Sequence, residues 1–164
     1  MPGYASTGAP SRDRRTAAAH HGLVARWVCP RCDREFGRAR QAHVCVPGCT
    51  VEETFAGRPV AQREVYDAMY DHLVTLGPVH ADAVQVGVFL KRERKLAEVR
   101  PRAGSLLLAL ILPRRVDSDR VTKVVRISGD RAVHFIPLTR ADEVDDELRA
   151  WLTEAYDAAG DAPG

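Results

Sequence analysis

Four residues of this chain have the types and spacing for metal chemistry: Cys29 and Cys32 in "CPRC", then His43 and Cys45 in "HVC". A two-residue spacer lets two thiolates bind one ion from a tight knuckle, and a tetrahedral Zn2+ needs a second pair to close its shell. Ten residues separate Cys32 from His43. Residues two apart in extended chain point the same way, so His43 and Cys45 can face the same ion. The expected cofactor is a structural Zn2+ on Cys29, Cys32, His43 and Cys45. Cys49 is the alternative fourth ligand, although Pro47-Gly48 ahead of it turns the chain away. Four protein ligands leave no position for water, which makes the site structural rather than catalytic. The rival chemistry is a redox dithiol, because Cys-x-x-Cys can lower a thiol pKa. That use expects a strand before the pair and a helix after it; here a second ligand pair follows instead.

Arginines crowd the same stretch. Arg31, Arg34, Arg38 and Arg40 are placed to offset the net negative charge of three thiolates around a divalent ion and to meet an anionic partner. A second basic run, "KRERK", adds Lys91, Arg94 and Lys95. Residues 91–131 hold twelve basic side chains against five acidic, and residues 141–164 one against eight. The formal net charge of +2 therefore hides a segregated surface, of the kind that attracts nucleic acid or an anionic protein. The plainer account has solvated strand ends partly paired with an acidic helix. Open-sheet RNA binders present stacking aromatics, and here only Phe89 and Phe135 fall on expected strands.

Signals for catalysis are sparse. His72, His80 and His134 stand alone, no Ser or Cys sits in a nucleophile elbow, and no Gly-rich phosphate loop occurs. Asp67 and Asp71, four apart beside Tyr66 and Tyr70, read as a solvated helix face before they read as a cation site. The expected function is a non-enzymatic zinc-binding module for a protein or nucleic-acid partner. The alternative is a small-ligand receptor or enzyme with a pocket between sheet and helices.

These residues need a scaffold. Residues 1–24 are small, polar and basic and read as a disordered tail, followed by a metal module at 25–49 and a main domain at 51–157, with 158–164 as a second tail. In the main domain Val65, Met69, Leu73 and Leu76 recur at helical steps until Gly77-Pro78. Alternation around Val84, Val86 and Val88 predicts a strand, "KLAEVRP" a second, and "SLLLALIL", apolar on both faces, a central one. "GD" at 129–130 predicts a hairpin between "TKVVRIS" and "AVHFIPL". A closing helix follows, with Thr139 as N-cap and Val144, Leu148, Trp151, Leu152 and Ala155 on one face. That order predicts an α+β two-layer sandwich, an antiparallel sheet with flanking helices behind a small zinc-ribbon-like module. The run "LLLALIL" is too short to cross a bilayer. Reduced cysteines suit a cytoplasmic protein.

The string "WVCPRCDREFGRARQAHVC" followed by "TVEETFAGRP", "VYDAM", "LGPV", "LAEVRPR" and "VDDELRAWLTEAY" resembles a bacterial family, domain of unknown function 5655, from about Val51 to Tyr156. The resemblance implies a compact α+β domain with no established activity. It also implies a zinc-ribbon-like leader ending in His-x-Cys, which favours Cys45 over Cys49. Asp33 stands where relatives tend to have Gly, and Leu96 where they tend to have Phe.

Overall fold

In the computed structural model, which describes residues 26–43 and 45–160, the leader holds two short strands, β1 (Trp27–Val28) and β2 (Glu35–Phe36). The main domain begins with α1 (Val51–Phe55) and α2 (Val60–Leu76). Strands β3 (His80–Val84), β4 (Gly87–Lys91), β5 (Lys95–Pro101) and β6 (Leu106–Leu112) follow. Then come β7 (Lys123–Ser128), β8 (Arg131–Leu138), a 3-10 turn at Ala141–Glu143 and α3 (Asp146–Gly160). The tail expected at 1–24 lies outside the described residues.

The six strands form one antiparallel sheet in the order β3-β4-β5-β6-β8-β7. As predicted, β6 is an interior strand, and its side chains alternate as the pleat demands. Leu106, Leu108, Leu110 and Leu112 are wholly buried on one face. Register places Ala97 and Val99 of β5 and Ile136 and Leu138 of β8 beside them. On the opposite face Leu107 and Ala109 are only half-buried. The helices cover the first face alone: Val65, Met69 and Leu73 of α2 and Leu148, Leu152 and Ala155 of α3 join one core with it. The architecture is the expected α+β sandwich, with a small hairpin in front. Among the described residues no helix is long and apolar enough to cross a membrane.

Three local expectations change. Val84, Val86 and Val88 do not share a strand, because the chain turns at Gln85-Val86 and pairs Val84 with Gly87. Any side chain at position 87 would collide with the backbone, since a Cβ there stands 2.5 Å from the Val99 carbonyl oxygen. This glycine therefore opens β4 where it crosses β5. Thr139 does not cap α3. The Glu143 carboxylate binds the N–H groups of Thr139 and Arg140 and closes the 3-10 turn, and Asp145 accepts from the Leu148 N–H at 3.0 Å to cap the helix. α3 also runs past residue 157 to Gly160, held there by buried Ala159, whose carbonyl accepts from the Arg94 N–H. The predicted Gly129-Asp130 hairpin does form, with Gly129 at a φ of 55° that glycine adopts without strain.

Candidate metal centre

The leader is too small for an ordinary core, so its order comes from a turn and a few rings. β1 pairs with β2 through Trp27 opposite Phe36 and Val28 opposite Glu35. Between them the chain bends sharply: Asp33 N–H donates to the Cys29 carbonyl at 2.8 Å, and Cys29 N–H to the Arg34 carbonyl at 3.0 Å. This knuckle brings Cys29 and Cys32 together, both buried with Phe36. The return segment lays His43 over Phe36, ring centroids 4.0 Å apart, with Trp27 at its edge.

The donor atoms of Cys29, Cys32, His43 and Cys45 lie within 4.8 Å of one another. Sulfur to sulfur, Cys29 and Cys45 are 3.8 Å apart; His43 Nε2 is 3.4 Å from the Cys32 sulfur and 3.1 Å from that of Cys45. The other ring nitrogen, Nδ1, is 2.7 Å from the Gln41 carbonyl oxygen. A carbonyl only accepts, so Nδ1 is the donor there, and Nε2 is the nitrogen turned toward the sulfurs. That orienting bond is typical of metal-ligating histidines. Backbone N–H groups of Arg31 and Cys32 bring the Cys29 thiol down to about 6. Burial and the neighbouring thiolates push Cys45 the other way. Three thiols this close cannot all ionise without a cation among them. The donor set fits a metal ion of the Cys3His class.

A second, buried cluster fastens this leader to the sheet. Arg34, immediately beyond the knuckle, reaches Asp82 on β3 through Nε at 3.0 Å and Nη2 at 2.9 Å, a bidentate pair. Lys91 on β4 donates to the same carboxylate at 2.5 Å and to the Glu35 carbonyl at 3.3 Å. The Arg34 guanidinium lies between the rings of Phe36 and Phe89, 5.4 and 5.2 Å from their centroids. Burial works against the Asp82 charge, yet Arg34 and Lys91 hold its carboxyl below the usual range. Burial lowers the Lys91 pKa, with Asp82 opposing.

These contacts correct part of the basic surface expected to meet an anionic partner. Arg34 and Lys91 are buried and committed to Asp82, so they are interior fasteners and not partner contacts. Arg31, Arg38, Arg40 and Lys95 are exposed, as a partner surface requires. Arg94 is half-buried and gives Nη2 to the Ala158 carbonyl at the end of α3. Cys49 stands apart from the four-donor cluster: its N–H binds the Ala83 carbonyl and its sulfur lies 3.4 Å from Thr54 Oγ1. Asp67 pairs with Arg63 one helical turn away, so Asp67 and Asp71 read as an ordinary helix face. The residue that sequence reasoning missed is Asp82. Its signal was a lone acid in the otherwise apolar "ADAV".

An antiparallel sheet backed by helices on one face, with a Cys/His cluster docked in front, defines an α+β protein with a candidate metal-binding leader. The family model described as "Domain of unknown function (DUF5655)" matches residues 51–159, and the chain belongs to that family. The matched span covers α1 through nearly all of α3 and leaves the Cys/His leader outside. Comparison with curated proteins and with solved structures finds no match.

Proposed function

We propose that this chain is a non-enzymatic zinc-binding protein whose metal-ordered leader, fixed to the sheet by Arg34, forms a binding module for an anionic protein or nucleic-acid partner. The single observation that carries the metal assignment is the convergence of three sulfurs and one imidazole nitrogen. Zinc–sulfur bonds of about 2.3 Å in a tetrahedron put sulfurs about 3.8 Å apart. Cys29 and Cys45 stand 3.8 Å apart. Cys29, Cys32, His43 and Cys45 would hold the ion; with its four positions filled by protein it supplies folding energy to the leader rather than catalysis. A reducing, cytoplasmic setting keeps these thiols available.

The binding role rests on charge placement. Arg31, Arg38 and Arg40 project from the leader into solvent, and Lys95 is exposed on the adjoining strand. Elemental analysis of protein purified without chelator tests the metal, with one zinc per chain expected and a metal-free, folded leader overturning it. Association with single-stranded DNA or an acidic protein, measured from low to moderate salt, tests the rest. The expected result is affinity that falls steeply with salt. No association with either at low salt removes the binding role.

A further inference from the structure

Beside the metal centre, a cleft of about 520 Å3 runs between the leader and the sheet, with Arg26, Phe36, Arg38, Lys91, Arg94 and Lys95 on its walls. Among the described residues Glu93 is the one acid that lines it. Arg26 gives one guanidinium nitrogen to the Arg92 carbonyl and leaves Nη1 buried without an acceptor among the described residues. Arg94 gives Nη2 to the Ala158 carbonyl and leaves Nε buried without one. Arg26, Arg38 and Arg94 make no ion pair with any described residue. Lys91 is held by Asp82, and Lys95 reaches Glu98 only from a side chain 44% exposed.

The same cationic character continues next door. A hollow of about 360 Å3 shares Arg94 and Lys95 and adds Arg131, with Asp130 as an acid on its wall. Burial and the nearby Arg94 charge both weigh against the Arg131 proton. Buried donors without acceptors are rare enough to need a cause, and an absent anion is one. Guanidinium groups match phosphate oxygens in pairs, and several cations facing one acid suit a polyvalent anion better than a lone carboxylate. The cleft has the size of a small-molecule site.

We infer that this cleft binds a compact polyphosphate group, such as the diphosphate of a nucleotide, between Arg26, Arg38, Arg94 and Lys95. The inference rests on the zinc-ordered reading, because Phe36 and Arg38 wall the cleft only when the knuckle folds the leader onto the sheet.

Calorimetric titration of the zinc-loaded full chain with inorganic pyrophosphate at low salt is the test. One equivalent is expected to bind. The pair Arg38→Glu with Lys95→Glu should weaken it at least tenfold, whereas Arg58→Glu with Arg126→Glu, an equal change of charge at exposed sites outside the cleft and the leader, should leave it within about twofold. Circular dichroism and zinc content, unchanged in each variant, separate lost binding from lost folding. Arg38→Ala alone gives a milder second reading in the same direction. Equal weakening by both pairs overturns the cleft, since diffuse charge then suffices. So does binding of a single-stranded oligonucleotide with none of pyrophosphate, which leaves the broader anionic-partner reading standing. Absence of zinc from the purified chain sinks that broader reading itself.

Discussion

At Asp33 the backbone of the metal knuckle passes through a φ of 55°, a conformation that a Cβ resists and glycine adopts freely. The bend gives the reason for it: the Asp33 N–H must bind the Cys29 carbonyl for the two sulfurs to converge. Asp33→Gly should keep the ion and steady the leader by up to about 1 kcal/mol. Competition with a zinc chelator checks it, the variant surrendering metal less readily; easier loss would mean that the carboxylate itself supports the knuckle. Asp82 is a harsher case. Asp82→Asn keeps the shape but leaves Arg34 and Lys91 buried without a counter-charge, so it should cost about 3–5 kcal/mol in denaturant unfolding. A loss below about 1 kcal/mol would show that the pair is solvated. His134, wholly buried on β8, accepts the Val116 N–H at Nε2, 2.9 Å away. Burial drives its pKa below the usual 6.5, the nearby charges of Arg114 and Arg115 add to that, and the carbonyls of Leu110 and Ala132 oppose it. The unfolded chain then takes up the proton first as pH falls. Stability is full above about 6.5 and declines below it, toward the lower folded value. His134→Gln should flatten the dependence of the unfolding midpoint between about pH 7 and 5; an unchanged profile would assign that slope to other groups.

Elements with a strong local period were legible in the sequence, and those decided by a distant neighbour were not. Steps of three and four residues marked α2 and its end at Gly77, and the leucine run marked β6. The Gln85-Val86 turn stayed hidden because neither residue is a usual turn former and the valines continue a strand's alternation across it. What ends the strand is the closeness of β5 to Gly87, a fact of the third strand and not of the local string. Thr139 and Asp145 are both good caps, and the choice fell to the path the chain takes from β8 onto the core face. Four donors at metal spacing were readable for a similar reason: a knuckle is local. Asp82 lies 48 residues from Arg34, so the interior fate of that arginine could not be read from charge runs. The core itself makes a plain prediction at this scale. Leu148, at 0% exposure where α3 meets the sheet, should cost about 2–5 kcal/mol on replacement by alanine, measured by chemical denaturation.

Across the whole molecule, the question is how far the leader and the sheet stand or fall together. Their apolar clusters are separate: Cys29, Cys32 and Phe36 with Trp27 in the leader, and the sheet-and-helix core behind. What crosses between them is mainly polar, the Arg34–Asp82–Lys91 cluster and a few backbone bonds such as Cys49 N–H to the Ala83 carbonyl. On the proposed zinc reading, stripping the ion would remove the folding energy of the leader and free Arg34 from its seat. Asp82 then keeps Lys91 as its partner, and water reaching both lowers their desolvation cost along with their attraction. The domain should therefore stay folded but lose about 1 kcal/mol, roughly 5 °C in its thermal midpoint. Calorimetry of wild type against Cys29→Ser, and of wild type with and without chelator, reads the shift directly. Equal small shifts in both comparisons fit a leader that clips onto a self-sufficient fold. Collapse of the domain in either would mean that the polar junction is part of its core, and that the metal holds up the sheet as well as the knuckle.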